Sequence, residues 1–200
     1  ASKLALKPGQ KVLDIGCGGG VVAEPMARLG ASVTGVDASE ANIKTAMTHA
    51  RENGLKIDYR VGTAEGLLES GEPPFDIVLN LEVVEHVADA HAFLADTGRL
   101  VAPGGMMLVA TINRTAKAFA LAIVGAEYVL RWLPTGTHEF DKLVTPGEVH
   151  RALHVAGLDT APPQGVGYNP LADAWRLTGD TKVNYMVLAT RAADAASEAA

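Results

Sequence analysis

The run VLDIGCGGG, from Val12 to Gly20, constrains the fold more than any other part of the sequence. It reads as the end of a strand followed by a glycine loop and then a helical pattern, which is a ligand-binding context for glycines. Gly16 and Gly18 remove side chains where a backbone would have to approach a ligand closely. The run therefore predicts a strand, a ligand-binding turn and a helix in succession.

Short β-branched runs alternate with helical patterns through the first half of the chain. Strands are predicted at Lys11–Ile15, Ser32–Val36, Ile57–Val61, Phe75–Asn80 and Met106–Ala110. Helices are predicted at Val21–Leu29, Glu40–Asn53 and Ala90–Val101, with Gly30, Gly54 and Pro103-Gly104-Gly105 as stop signals. Such alternation indicates βαβ units, so we expect an α/β, Rossmann-like fold with a mostly parallel sheet.

The alternation lapses after the fifth strand. Ala116–Leu133 is predicted as an inserted helix, broken by Pro134-Thr135-Gly136. No repeat or linker divides the sequence, so we expect residues 1–200 to form one domain with an insert at about 113–138.

The last part of the chain predicts one helix and two strands. Thr145–Ala156 has Thr145 at the cap and Glu148 placed for a capping box. The segments Leu158–Val166 and Tyr185–Thr190 are predicted to pair as a hairpin at one edge of the sheet.

Composition excludes several classes of function. The 200 residues carry a net charge of -6, and an acidic chain lacks the basic surface that binds nucleic acid. The single cysteine, Cys17, excludes an internal disulfide and fits a reducing compartment. No run approaches the roughly 18 apolar residues that span a bilayer. We therefore expect a cytoplasmic protein that acts on a small molecule.

An acidic residue follows the second predicted strand. Asp37 lies about twenty residues beyond the first glycine, where a carboxylate accepts ribose hydroxyls. It can also cap the next helix beside Ser39, and both roles can hold together. Val21 stands where a dinucleotide fingerprint needs a third Gly or Ala, which argues against a pyrophosphate-bearing cofactor. Ala64 and Glu65, after the third strand, are candidates for the adenine side.

The segments DIGCGGG, VDAS, GTAEGL, FDIVLNLEVVEH and LVAPGG, in this order and spacing, resemble class I methyltransferases. The resemblance covers about residues 10–110 and implies a seven-stranded sheet with helices on both faces and S-adenosylmethionine as cofactor. It implies that the loop from Gly16 to Gly18 binds the methionine part, that Asp37 binds ribose and that Leu81 flanks the cofactor. Asp14, which opens the first segment, is a further candidate cofactor contact.

Two acids and a histidine follow the fourth predicted strand. Glu82, Glu85 and His86 could bind Mg²⁺ through carboxylate oxygens and imidazole. Such a cation would suit a catechol, because chelation lowers the pKa of a phenolic hydroxyl from about 10. Without a metal, His86 could act as a general base tuned by either acid. All three side chains could instead cap a helix or position the cofactor, and these alternatives stay open.

The predicted insert combines apolar and basic residues, including Arg114, Lys117 and Arg131. An amphipathic helix of this kind can lie in a membrane interface, or it can form a lid over a substrate cavity. Both interpretations imply a hydrophobic substrate. Weaker candidates for substrate contacts are Asn113, Tyr128, His138 and Tyr168.

The chain more closely resembles bacterial ubiquinone-biosynthesis O-methyltransferases. This resemblance is carried by the segments NRTAKAFALAIVGAEYVLRWLPTGTHEFDKLVTP and VGYNPLADAWRLTGDTKVNYMVLA. It implies methylation of 2-polyprenyl-6-hydroxyphenol and 3-demethylubiquinol, peripheral contact of the insert with anionic membrane lipids, and a biosynthetic complex as partner. Eukaryotic relatives imply a magnesium site at Glu82, Glu85 and His86. The family's N-terminal helical region, with a cofactor-contacting arginine, has no counterpart before Ala1, and its loss would weaken cofactor binding.

Three other functions compete with this interpretation. A nicotinamide-dependent oxidoreductase is disfavoured by the missing third glycine and by the lack of a recognisable Ser-Tyr-Lys set. A non-catalytic subunit that binds S-adenosylmethionine and lipid is the second alternative. A methyltransferase for another small hydrophobic substrate is the third.

Overall fold

A computed structural model describes residues 6–118, 142–169 and 173–194 of the chain. The strands are β1 (Lys11–Ile15), β2 (Ser32–Asp37), β3 (Asp58–Val61), β4 (Phe75–Leu81), β5 (Val101–Ile112), β6 (Asp159–Thr160), β7 (Gly165–Asn169), β8 (Ala174–Thr178) and β9 (Asn184–Thr190). The helices are α1 (Ala23–Arg28), α2 (Glu40–Glu52), α3 (Ala64–Glu69), α4 (Ala90–Arg99), α5 (Ala116–Ala118) and α6 (Pro146–Val155), with a 3₁₀ turn at Val84–His86.

Seven of these strands form one sheet in the order β3-β2-β1-β4-β5-β9-β6. β1 pairs in parallel with both β2 and β4, and β2 pairs in parallel with β3. The predicted Rossmann-like fold with a mostly parallel, seven-stranded sheet is confirmed. β7 and β8 form a separate antiparallel pair.

The chain divides into two compact units. The first comprises Ala1–Asn80, Asp96–Met107 and Thr190–Ala200, and the second comprises Leu81–Ala95 and Leu108–Ala189. The single domain over residues 1–200 stays a prediction. Each unit is described below by itself.

The core of the first unit is built on β1 and its neighbours. Val12 and Leu13 are fully buried, as are Val36 on β2 and Val78 on β4. Parallel strands are covered on both faces, which is why these segments are nearly continuous apolar runs. The core fixes the carboxyl ends of the strands, where the glycine loop and Asp37 begin.

The capping box predicted for α6 is confirmed in the second unit. Glu148 Oε2 accepts hydrogen bonds from Thr145 N (2.7 Å) and Thr145 Oγ1 (2.7 Å). Its other oxygen binds the Arg114 guanidinium. Tyr185, fully buried on β9, donates its hydroxyl to Val144 O at 2.8 Å, which joins β9 to the segment before α6.

β5 begins earlier than predicted and takes in Pro103-Gly104-Gly105. The reason is non-local pairing, because Arg191 N donates to Gly105 O at 3.0 Å. α4 correspondingly ends at Arg99, and Leu100 O accepts a hydrogen bond from Phe75 N at 2.8 Å.

The predicted pairing of the last two strands at one edge of the sheet is confirmed, because β6 lies beside β9 at that edge and Ala161 N donates to Leu188 O at 2.8 Å. The two strands are not joined directly as a hairpin, since β7 and β8 lie between them in the chain. The predicted strand Leu158–Val166 is broken by Pro162-Pro163, whose nitrogens cannot donate hydrogen bonds to a ladder. Its first part is β6, beside β9 in the large sheet, while Gly165 and Val166 pair with β8. The β7–β8 hairpin and α3 were not predicted from the sequence.

Only the start of the predicted inserted helix lies within the described residues. α5 occupies Ala116–Ala118, and residues 119–133 of the prediction lie outside the described residues. Among the described helices, none has the length and apolar character needed to cross a membrane.

Gly35→Ala is expected to destabilise the protein by about 1–3 kcal/mol, since an added Cβ overpacks the core of the first unit. That Cβ would lie 2.6 Å from the Tyr59 ring and 3.1 Å from Cys17 Sγ. Gly66→Ala in α3 is the control, because its Cβ would meet only Thr63 Oγ1 at 3.5 Å. Urea denaturation should show a loss for Gly35→Ala alone, and equal midpoints for both variants would refute the overpacking.

Candidate active site

The glycine loop is held by one backbone carbonyl. Gly16 N and Cys17 N both donate to Val36 O, at 2.7 and 3.1 Å. Gly16, Gly18 and Gly20 have φ angles of 71°, 52° and 86°, a region that residues with side chains rarely adopt. The predicted strand, turn and helix are therefore present, and the loop's conformation depends on its glycines.

Asp37 fixes the loop from the end of β2. Its Oδ2 accepts from Gly18 N at 2.9 Å, and its Oδ1 accepts from Ser39 N at 2.8 Å and Asn42 Nδ2 at 3.2 Å. A carboxylate has about four acceptor sites, so Oδ2 keeps one for a ribose hydroxyl. A second hydroxyl would have to displace the exposed Asn42 amide. Space beside the loop is open, because a Cβ on Gly18 would meet no atom within 4 Å.

Asp14 is a buried acid with an incomplete set of partners. It is 3% exposed, its Oδ2 atom has no hydrogen-bond partner, and the Ala23 N–H is its backbone donor. Burial raises the pKa of Asp14 to about 7, and the carboxylate of Asp37 adds to the shift. A buried carboxyl needs a partner, and the ammonium group of a bound methionine moiety has the matching charge. The carboxylates of Asp14 and Asp37, beside the glycine loop, therefore fit S-adenosylmethionine.

Asn80 is a site candidate that the sequence analysis missed. It lies at the carboxyl end of β4, paired in register with Ile15, and it is fully buried. Neither its Oδ1 nor its Nδ2 atom has a hydrogen-bond partner, a state that is rare for buried amides. The available signal was a polar residue inside the apolar run FDIVLNL.

The remaining cofactor candidates have mixed exposure. Ala64 begins α3 and is buried, whereas Glu65 is exposed. Leu81 is the last residue of β4 and is half-buried. Their roles stay predictions.

Glu82 and Glu85 form a carboxyl pair in the second unit. Glu82 has a φ of 56°, unusual for a residue other than glycine, and its N–H donates to Ala110 O at 2.9 Å. Glu85 is 3% exposed, and its Oε2 accepts from Thr111 Oγ1 at 2.8 Å. The two carboxyls share a hydrogen bond. The pKa of Glu82 is raised, first because the carboxyl is partly removed from water and second because the charge of Glu85 lies close to it. Glu85 Oε1 has no hydrogen-bond partner.

His86 ends the 3₁₀ turn, and its backbone N–H donates to Val83 O at 2.9 Å. Within residues 6–118, 142–169 and 173–194, no three His, Cys, Asp or Glu side chains come together as a metal-binding group. The structure thus joins the two acids of the predicted cluster and does not bring His86 into a three-residue metal site with them.

The weaker substrate candidates are partly described. Asn113 is 7% exposed and donates from Nδ2 to Thr181 O at 2.9 Å, while its Oδ1 has no partner. Tyr168 is exposed on β7. Tyr128 and His138 lie outside the described residues.

Sequence comparisons place the chain among methyltransferases. A family model described as a methyltransferase domain matches residues 13–109. The ubiquinone biosynthesis O-methyltransferase of Maricaulis maris is 64% identical over 92% of this chain and 73% of the relative. The corresponding Brucella anthropi protein is 62% identical over 92% of this chain and 74% of the relative.

Solved structures share the fold. A S-adenosylmethionine-dependent methyltransferase from Methanosarcina mazei has a TM-score of 0.69 at 21% identity, covering 94% of this chain and 95% of that one. Magnesium protoporphyrin IX methyltransferase from Synechocystis PCC 6803, with bound SAH, has a TM-score of 0.66 at 20% identity, covering 92% and 75%.

Fold and glycine loop together define a class I, S-adenosylmethionine-dependent methyltransferase. More narrowly, the chain belongs to the ubiquinone biosynthesis O-methyltransferase family, and it is an O-methyltransferase of that pathway. The non-catalytic alternative is not favoured.

Asp14→Asn is expected to raise the Tm more at pH 8 than at pH 5, in protein without cofactor. The folded pKa of Asp14 is raised from 3.8 to about 7, so the folded state holds a proton that the unfolded state loses. Stability from this group is therefore present below about pH 4 and is lost as pH rises through about 7. Asp37, Cys17 and Tyr59, ionisable groups that interact with Asp14, remain in the variant.

Thermal unfolding at both pH values measures this difference, and the exposed acid substitution Glu69→Gln is the control. Asp14→Asn should also weaken S-adenosylmethionine binding in a titration at pH 8. Equal Tm changes at pH 5 and pH 8 would contradict the buried, protonated state of Asp14.

Proposed function

We propose that this protein methylates a catechol hydroxyl of polyprenylated ubiquinone precursors, 2-polyprenyl-6-hydroxyphenol and 3-demethylubiquinol. The observation that carries the proposal is the Glu82–Glu85 carboxyl pair, in which one buried oxygen has no partner. Membership in the ubiquinone biosynthesis O-methyltransferase family supports the class of acceptor.

The donor is held by the first unit. When bound, S-adenosylmethionine supplies a methyl group activated by a positively charged sulfonium. The loop from Gly16 to Gly18 would hold its methionine part, Asp14 would bind the ammonium group and Asp37 would accept a hydrogen bond from a ribose hydroxyl. These residues are already positioned by hydrogen bonds, so little ordering is left for the ligand to induce.

The acceptor is activated by the second unit. A phenolic hydroxyl has a pKa of about 10, so its oxygen becomes an effective nucleophile only as the proton leaves. Glu85 Oε1 can accept that hydrogen bond without breaking the bond from Thr111, which is on Oε2. The proton passes from the hydroxyl to Glu85 and then, through the hydrogen-bonded carboxyl of the exposed Glu82, to water. His86, which is exposed, is the alternative proton acceptor.

A divalent cation fits the same pair of acids. Mg²⁺ prefers carboxylate oxygens and often keeps substrate and water ligands, and Glu85 offers an unpartnered carboxylate oxygen. Glu82 and Glu85 would hold the ion, whose positive charge would favour the phenolate form of the acceptor.

Methyl transfer from labelled S-adenosylmethionine to a short-chain prenyl catechol tests the proposal. We expect turnover that EDTA abolishes and Mg²⁺ restores. Glu85→Gln is expected to lower kcat by roughly 10²-fold or more, the size of a lost proton acceptor, and His86→Ala should lower it less. Glu69→Gln, an exposed acid in the first unit, should keep wild-type kcat.

Each outcome of this assay has a meaning. Turnover that resists EDTA would reject the divalent cation. Glu85 or His86 would then be the proton acceptor without a metal. Full activity of both variants would reject the acceptor assignment. Absence of turnover with prenyl catechols, despite binding of S-adenosylmethionine, would reject the proposed substrate.

We also propose that the insert contacts anionic membrane lipids. The support is its sequence, in which apolar residues are interspersed with Lys117 and Arg131. Deletion of residues 119–132, which retains the Lys117–Asp180 ion pair (2.8 Å), should reduce sedimentation with phosphatidylglycerol vesicles. Phosphatidylcholine vesicles are the control, and unchanged sedimentation would favour a lid.

A further inference from the structure

The second unit contains a cavity beside Glu82. Its volume is about 370 Å³, and its walls come from β5, β9 and the β7–β8 hairpin. Its lining includes Glu82, Ala110, Ile112, Val166, Trp175 and Met186. Small-molecule sites are of this kind, with mainly apolar walls and a few polar groups.

The hairpin that closes one side of the cavity is firmly attached to β9. Val166 N donates to Asn184 Oδ1 at 2.9 Å. Gln164 and Met186 exchange two backbone hydrogen bonds, of 2.9 and 2.7 Å. Gly165 also lies close to the backbone that follows β8, because a Cβ there would lie 1.9 Å from Asp180 O. The wall is therefore a positioned element of the second unit.

Trp175 stands on that hairpin with most of its surface uncovered. It is 69% exposed although it lines the cavity. Its ring packs against the ring of Tyr168 in a tilted arrangement, with ring centroids 5.1 Å apart. A large aromatic side chain gains free energy when a ligand covers it, so this much exposed indole beside a cavity points to a binding surface.

We propose that Trp175 binds the aromatic ring of the acceptor in this cavity and thereby sets the preference for prenylated catechols. The inference rests on the proposed function, since it assigns the ring position of the same substrate. Volume supports it, because about 150 Å³ suffices for benzene and the remainder can take the first part of a prenyl tail.

The cavity also gives the ring an orientation. Glu82 is the acidic side chain on its wall, whereas Ile112, Val166 and Met186 are apolar. The catechol hydroxyls therefore face Glu82, and the ring face lies against Trp175. Beyond the cavity, exposed Tyr168 packs beside Trp175 on the hairpin, which suits an emerging tail.

Steady-state kinetics of the full chain tests this assignment. Trp175→Ala is expected to raise KM for a short-chain prenyl catechol roughly tenfold, with kcat within about threefold, since a ring contact of this size is lost. Trp175→Phe should restore most of the affinity. Leu177→Ala is the matched control, an exposed apolar residue of the same strand that does not line the cavity, and its KM should stay at wild type.

A binding measurement separates this inference from the proposed function. The same catechol, added without S-adenosylmethionine, should quench tryptophan fluorescence in the wild type but not in Trp175→Phe, which retains Trp132. Quenching that needs Trp175 in an enzyme without turnover would reject the proposed function and keep the ring site. The ring site would be overturned if folded Trp175→Ala turned over substrate with an unchanged KM, or if the catechol quenched no fluorescence in the wild type. It would also be overturned if Leu177→Ala raised KM as much as Trp175→Ala.

Discussion

Two N–H groups donating to the carbonyl of Val36 determine where the first unit can bind a ligand. Gly16 and Cys17 reach that single oxygen only because the chain turns sharply after β1, and the turn requires positive φ angles at glycines. Asp37 follows Val36 directly, so the same strand end that receives the loop also presents the carboxylate that fixes Gly18. The loop and the ribose acceptor are thus positioned together.

Each unit buries an acid that has an unpartnered oxygen, at a cost in folding free energy. Asp14 and Glu85 are both 3% exposed, and each has a carboxylate oxygen without a hydrogen-bond partner. An unpaired buried polar atom costs free energy, which a ligand with a complementary donor or positive charge offsets. Glu82 adds backbone strain at φ 56°. Each unit thus contains a buried acid that a bound ligand would stabilise.

Local patterns were predictable, whereas several features made by distant contacts were not. The glycine loop, the spacing to Asp37 and the capping box at Glu148 each depend on a few neighbouring residues, and the structure has all three. β5 extends to Val101 only because the chain returns near Arg191, some ninety residues later. Trp175 lines a cavity because β8 pairs with β7, a strand that begins only after Pro162-Pro163 interrupts the predicted strand. Helical and strand periodicity contain no such information.

Two proposed acceptors with different ring substituents impose a requirement on one site. Both have adjacent ring oxygens and a polyprenyl tail, so a carboxyl pair and an aromatic wall recognise what they share. Sites that bind a hydroxyl by hydrogen bonds reject a substrate that lacks it by roughly 10⁴-fold, whereas an extra apolar group changes affinity far less. Strict selection at Glu82 and Glu85 combined with a tolerant surface at Trp175 would therefore accept both precursors, while a ring without the second hydroxyl would leave a buried carboxylate unpaired.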